Sequence, residues 1–255
     1  MYNELFSIGP ITVYGYGLMI AIGIISAYIL SEYRAKKLGL DPDAVFGLVV
    51  WAVVAGVLGG KILFYLTQIS EIMEEPSILW DFANGFVIYG ALIGGIGGIL
   101  LYCHRKKLNF WSYFDLTMPS VALAQGFGRI GCFLAGCCYG MKMEGPFAVV
   151  FHHSQYAPNG VPLLPTQLIS SGLDFLHFVV LLIFARKYKK AEGQVAGLYF
   201  ILYSIGRFIL EFFRGDLVRG NVGVLSTSQF ISVFMLIFGS AVFILSAKKE
   251  LRKCH

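Results

Sequence analysis

The sequence predicts an all-α, polytopic membrane protein with seven transmembrane helices. Hydrophobic residues make up 57% of its 255 residues and charged residues only 14%, against about 45–50% and about 25% in soluble domains. Several apolar stretches approach or exceed the roughly 20 residues that carry a helix across about 30 Å of hydrocarbon. The alternating segments of about 10 residues that a membrane β-barrel needs do not occur.

Hydropathy places the helices at about 16–33, 44–66, 86–103, 115–134, 166–185, 195–213 and 228–247. The first follows SIGP without a charged leader or a small-residue cleavage site, so it reads as a retained span and not as a signal peptide. Glycine is frequent, with 30 residues in pieces such as GVLGG and GALIGGIGG; in lipid such pieces let helix backbones approach closely. With no long linker, low-complexity tract or repeat, residues 1–255 read as a single integral membrane domain.

Basic residues orient the spans, because short cytoplasmic loops carry the excess of Lys and Arg. Arg34, Lys36 and Lys37 follow the first helix, and Arg105, Lys106 and Lys107 follow the third. Arg186, Lys187, Lys189 and Lys190 follow the fifth, and Lys248, Lys249, Arg252 and Lys253 the seventh. These fourteen of the 20 basic residues fall on one side, whereas the opposite 2–3 loop carries Glu71, Glu74, Glu75 and Asp81. The N-terminus is therefore expected outside, on the periplasmic side, and the C-terminus in the cytoplasm. The net charge of +5 then reflects topology, and nucleic acid is not an expected partner.

The same threading puts the other six basic residues, Lys61, Arg129, Lys142, Arg207, Arg214 and Arg219, in or near the outer half. Arg207, Glu211 and Arg214 fall on one helical face at i, i+4 and i+7. Tyr16, Tyr89 and Gln167 each open a helix at its outer end. A charged side chain costs at least about 2.5–3.5 kcal/mol at mid-bilayer, so it faces a partner or a cavity. One arginine alone reads equally well as a snorkelling or helix-capping group. Three at one depth, with Glu211 the only obvious counter-charge, point to an anionic ligand, and a lipid phosphate is the abundant one that arginine grips with two prongs.

The ordered pieces YGLM (16–19), YGALIGG (89–95), FDLTMPSVALAQGFGRIGCFLAGCCYG (114–140), PTQL (165–168), GLYFILYSIGRFILEFFR (197–214) and LSTSQ (225–229) resemble the bacterial phosphatidylglycerol-prolipoprotein diacylglyceryl transferases. The most specific piece is the frame of Gly128, Arg129, Gly131, Phe133, Gly136 and Gly140. The resemblance implies a multi-pass enzyme of the bacterial inner membrane, working without cofactor or metal. It would move the sn-1,2-diacylglyceryl group of phosphatidylglycerol to the lipobox cysteine of a preprolipoprotein signal peptide, forming a thioether and releasing glycerol phosphate. It also implies that Arg129 and Arg207 hold the lipid headgroup, that Glu211 orients Arg207, and that Tyr16, Gly90, Gly128, Gly140, Gln167 and Arg214 contribute to the lipid site. The family pattern has histidine where this chain has Tyr89, asparagine at Cys132 and glutamate at Cys137. An unperturbed tyrosine has a pKa near 10 and is a poor ready-made base, so either the base lies elsewhere, or arginines depress the tyrosine's pKa, or no base is required; of its two roles, proton transfer and positioning of substrate, Tyr89 reads first as positioning.

Five cysteines occur, with Cys103 and Cys254 on the cytoplasmic side and Cys132, Cys137 and Cys138 outside. The outer three read as packed thiols, as a disulfide such as Cys132 to Cys137, or as a redox or metal group; C-x4-C-C fits no common four-ligand zinc pattern. His152, His153 and Asn159 fall in a loop of roughly 30 residues, long enough to shape an entrance. A thiol-disulfide oxidoreductase would use the cysteines but lacks C-x-x-C. A lipid or anion transporter would use the arginines but lacks an inverted repeat. The basic bias predicts that a reporter fused after Cys254 reports cytoplasm and one inserted between Ile72 and Glu75 reports the exterior; a C-terminus found outside would overturn the orientation.

Overall fold

Each of the seven predicted stretches is a helix. The computed structural model describes residues 4–8, 11–80, 85–216 and 221–251; Asp81, Arg219, Arg252, Lys253 and Cys254 lie outside them. In chain order the helices are α1 (Gly15–Leu38), α2 (Asp43–Thr67), α3 (Ile69–Glu74), α4 (Ile88–Lys106), α5 (Phe110–Ala135), α6 (Thr166–Lys187), α7 (Gln194–Glu211) and α8 (Thr227–Leu251). The short α3 and a 3-10 turn at Pro76–Trp80 give the 2–3 loop helical structure that hydropathy does not signal. Three antiparallel ribbons also go beyond the all-helical expectation: β1 (Glu4–Ile8) with β2 (Ile11–Tyr14), β3 (Val149–Val150) with β4 (Pro162–Leu163), and β5 (Asn221–Val222) with β6 (Leu225–Ser226). They are connectors, too short to stand without the helices beside them.

Four helices, α1, α2, α6 and α8, are long and apolar enough to cross a membrane by composition. Glycines dilute the hydropathy of α4. Asp115, Gln125 and Arg129 dilute that of α5, and Arg207 and Glu211 that of α7. Large apolar side chains point outward, among them Ile25, Ile62, Leu66, Leu176, Ile237 and Leu245, as lipid as a solvent permits. This is a membrane protein.

The chain divides into two compact units, residues 31–113 and residues 1–30 with 114–255. In the 31–113 unit, α2 packs along α4 on a seam of small residues. A Cβ on Gly90 would strike the Gly59 carbonyl, and one on Gly94 the Ala55 carbonyl, so the helices meet backbone to backbone.

In the other unit, β1 and β2 feed directly into α1. Polar bonds cross between helices: Ser171 Oγ of α6 donates to the Gly126 carbonyl of α5 at 2.9 Å, and Tyr199 Oη of α7 to Gln125 Oε1 of α5 at 2.9 Å. The α7–α8 crossing is backbone-close at Gly197 and Gly239. Near its start, α5 presents the buried Asp115, whose carboxylate accepts from Gly193 N at 2.8 Å and Ala196 N at 2.9 Å and pairs with Lys189 Nζ at 2.9 Å. A carboxylate at the N-terminus of α7 satisfies donors that the helix cannot satisfy itself and meets the positive end of its dipole. This anchor fixes where α7 starts, and so where Arg207 lies along it. Replacement of Asp115 by Ala is expected to cost about 1–3 kcal/mol, because buried donors lose their acceptor, and to lower the Tm in detergent by several degrees; an unchanged Tm would show that the anchor is not needed.

Candidate active site

The C-terminal end of α5 is closed by a turn that gathers three thiols. Gly136, at φ 76°, is the left-handed residue that stops the helix; its N–H donates to the Phe133 carbonyl at 3.2 Å, and Cys137 N donates to the Cys132 carbonyl at 3.1 Å. That pair of bonds is a Schellman cap, and it folds Cys137 and Cys138 back over Cys132. The Sγ atoms of all three lie within 4.8 Å of one another. None is disulfide-bonded, so the Cys132–Cys137 bridge weighed from the sequence is not formed.

Two buried side chains at the start of α6 hold this turn. Gln167 Nε2 donates to the Cys137 carbonyl at 2.8 Å and Thr166 Oγ1 to the Cys138 carbonyl at 2.9 Å. Gly140 is a backbone crossing: its N–H donates to the Leu164 carbonyl at 3.0 Å, and it bridges to Arg214. A Cβ there would meet the Leu164 carbonyl at 2.5 Å. The loop beyond has its own small core of Phe151, Ala157 and Leu163 with Phe133 and Tyr139 against it. Asn159 belongs to that loop's framework, accepting from Ser154 N at 2.9 Å and donating to Ser154 O at 3.0 Å.

The thiols have cationic and phenolic neighbours. Tyr16 packs on Gly131, where a Cβ would lie 3.2 Å from the tyrosine ring, and is electrostatically coupled to all three cysteines and to Arg129. Arg214 hydrogen-bonds Cys138, and its Nε donates to Asp216 Oδ1 at 2.8 Å. Hydrogen bonds from the Cys132 and Cys137 thiols, opposed by burial and assisted by the Arg214 guanidinium, hold the Cys138 thiol below the ordinary thiol range.

Beside this group lies a cavity of about 200 Å³ between α5, α6 and α7. Arg129, Asp174, His177, Tyr203 and Arg207 line it with polar groups, and Leu173, Leu176, Val180, Leu202 and Leu210 with apolar ones. Arg207 Nη2 pairs with Glu211 Oε2 at 2.7 Å and donates to Ser228 Oγ at 2.8 Å. Glu211 Oε1 accepts from Ser226 Oγ at 3.0 Å. The two serines belong to LSTSQ, which forms a capping box at the head of α8: Ser226 N donates to Gln229 Oε1 at 3.1 Å and Gln229 N to Ser226 Oγ at 3.2 Å. Arg129 approaches Asp174 only to 3.9 Å, Nε to Oδ2, beyond hydrogen-bond distance.

Two readings of the sequence change here. Arg214 does not continue a helical face with Arg207 and Glu211, because α7 ends at Glu211; Arg214 lies in the turn beyond, at the thiols. Glu211 is not the only counter-charge either, since Asp174 faces Arg129 and Asp216 binds Arg214. Asp174 and His177 carried a signal in the sequence, as ionisable residues inside a predicted span. His177 is buried, stacks on Tyr199 with ring centroids 5.1 Å apart, and has an Nε2 without a hydrogen-bond partner among the described residues. Tyr203, Ser226 and Ser228 carried no such signal. Gly128 has open space where a Cβ would stand. Tyr89 and Gly90 belong to the 31–113 unit, in the first turn of α4, with Tyr89 half-buried and Gly90 buried on Gly59.

A model of the prolipoprotein diacylglyceryl transferase family matches residues 3–245, which take in every group just described. The chain belongs to that family. It is 51% identical over 239 residues, 94% of this chain and 95% of the relative, to the phosphatidylglycerol–prolipoprotein diacylglyceryl transferase of Clostridium tetani. To the second such transferase of Clostridium perfringens it is 49% identical over 89% of this chain and 88% of that one. To the phosphatidylglycerol–prolipoprotein diacylglyceryl transferase of Clostridioides difficile it is 34% identical over 96% of this chain and 95% of that one.

The capping box makes the Arg207–Glu211 pair depend on α8. Ser226→Ala removes both a cap and a bond to Glu211, and is expected to destabilise by about 1–3 kcal/mol, read as a lower Tm in detergent; retention of the wild-type Tm would mean that the pair holds itself.

Proposed function

We propose that this transferase moves the sn-1,2-diacylglyceryl group from phosphatidylglycerol to the thiol of a lipobox cysteine in a preprolipoprotein, releasing glycerol phosphate. The observation that carries the reading is that Arg129 and Arg207 line one cavity together with leucine and valine side chains. A phospholipid has that combination, a phosphate beside acyl chains. The names of the relatives in Clostridium tetani and Clostridium perfringens specify the same donor and acceptor.

In this mechanism the two guanidiniums grip the phosphate in the ground state and gain most as the C–O bond breaks and charge collects on the leaving oxygen. Glu211 and Ser228 fix the rotamer of Arg207, so little reorganisation accompanies the charge shift. Arg129, held loosely by Asp174, turns its remaining donors to the headgroup. Tyr16, Gly128, Gly140, Gln167 and Arg214 shape the lipid and thiol side: Tyr16 lines it, Gly128 leaves space for the headgroup, and Gly140 and Gln167 hold the turn in place. Tyr89, with Gly90 beside it at the head of α4, contributes a hydrogen bond to substrate. We read all seven long helices as spans of one integral domain in the bacterial inner membrane, with the N-terminus and the site on the periplasmic side.

The test is incubation of the purified protein with phosphatidylglycerol and a lipobox peptide in detergent, followed by mass spectrometry. The peptide is expected to gain one diacylglyceryl group. Arg129→Lys keeps the charge but loses the two-pronged grip, at a cost of about 1.5–3 kcal/mol or roughly 10- to 100-fold in rate. Near-wild-type turnover in that variant would make Arg129 structural. Tyr89→Phe is expected to lose roughly tenfold, one hydrogen bond's worth; a loss beyond about 100-fold with lipid binding intact would assign it to proton transfer.

A further inference from the structure

We propose that Cys132, Cys137 and Cys138 bind one Zn²⁺ ion through three thiolates, with the fourth coordination position taken by the substrate thiol. The inference deepens the transferase reading and rests on it for the identity of that fourth ligand.

Three observations carry it. The three sulfurs lie within 4.8 Å of one another, and a tetrahedral zinc with Zn–S bonds of about 2.3 Å sets its thiolates about 3.8 Å apart. Small side-chain rotations close that gap. A disulfide would use only two of the three sulfurs. Second, the backbone is built to aim them. Cys138 has φ 61°, a left-handed conformation that costs a non-glycine residue and that marks functional sites when the surroundings enforce it. The surroundings do so here, through the Schellman cap and the bonds from Thr166 and Gln167. Third, the thiols sit at the C-terminal end of α5, where the helix dipole favours a cation. Three thiolates and Zn²⁺ leave one net negative charge, and the Arg129 and Arg214 guanidiniums lie close by.

The ligand set also selects its chemistry. Sulfur donors favour zinc or copper(I) over magnesium or calcium. Among the described residues no fourth His, Cys, Asp or Glu joins the group. A site of three protein ligands is the catalytic pattern, open at the fourth position, and not the closed four-ligand pattern of a structural zinc.

The transfer reaction needs that open position. A thiol bound to the metal loses its proton to water and stays a nucleophile as the metal thiolate. Its lone pair forms the C–S bond at the glyceryl carbon that bears the phosphate. The C–O electron pair leaves with the phosphate oxygen, giving glycerol phosphate, and nothing is oxidised or reduced. A metal that generates the thiolate removes the need for a histidine at position 89.

Cobalt(II) is the probe. Purified protein, stripped with a chelator under reducing conditions, is expected to bind one Co²⁺ per chain with a thiolate-to-cobalt charge-transfer band. Added lipobox peptide should raise that band by about one third, as three thiolates become four, and a peptide with serine at the lipobox should leave it unchanged. Cys132→Ser, Cys137→Ser and Cys138→Ser together should abolish the band. Since that variant is open to misfolding, the wild-type titration is decisive by itself. Absence of the band in wild type at stoichiometric Co²⁺ overturns the site, and a band indifferent to the peptide thiol overturns the fourth-ligand role. Full transfer by stripped protein overturns the metal's part while leaving the transferase intact. A responsive band with no transfer from phosphatidylglycerol upholds the metal site and sinks the transferase reading.

Discussion

An arginine inside a membrane protein has to be paid for by a partner or by a cavity, and most of this molecule's polar architecture follows from that requirement. Arg207 is bound on two sides, by Glu211 on its own helix and by Ser228 at the head of α8. Arg214 is bound by Asp216. Arg129 is the exception, with its acid at 3.9 Å and a cavity alongside. Truncating one member of a buried pair typically costs 3–5 kcal/mol because the survivor is stranded. The arrangement therefore ties helix placement to the charge pattern: α7 starts where Asp115 anchors it, α8 starts where its capping box meets Glu211, and α6 carries Asp174 to the Arg129 side.

The same elements assemble the thiol group. Thr166 and Gln167 at the start of α6 hold the carbonyls of Cys138 and Cys137, and one helical run further along the same helix supplies Asp174 and His177 to the cavity. The thiol turn and the arginine cavity thus share one scaffold, in which positioning is achieved by backbone hydrogen bonds and helix caps. Loops held in this way lose little freedom when substrate binds, which is what preorganisation requires.

Much of this was legible in the chain. The seven helices follow from hydropathy, and their observed limits lie within about five residues of the predicted ones, the largest differences being that α1 runs on to Leu38 and α5 begins at Phe110. Arg129, Arg207 and Glu211 stand out as charges in apolar runs, and they do meet around or beside one cavity. The partners were harder to read, for physical reasons. Serine and tyrosine are unremarkable in a membrane helix, so Ser226, Ser228 and Tyr203 gain meaning only once the helices are packed. The S-x-x-Q spacing of LSTSQ is a capping-box signature, but what it caps toward is a tertiary fact. Convergence of Cys132 with Cys138 depends on a left-handed turn that C-x4-C-C spacing does not specify.

On the proposed function, the cavity between α5, α6 and α7 holds a phospholipid by its phosphate. The most direct measurement is photo-crosslinking with phosphatidylglycerol that carries a diazirine in its headgroup, followed by peptide mapping. Labels are expected on α6 around Ser170–His177 and on α7 around Leu202–Leu210, competed by unlabelled phosphatidylglycerol and depleted in Arg207→Lys. Labels that map elsewhere on the protein, with both of these helices unmarked, would contradict it.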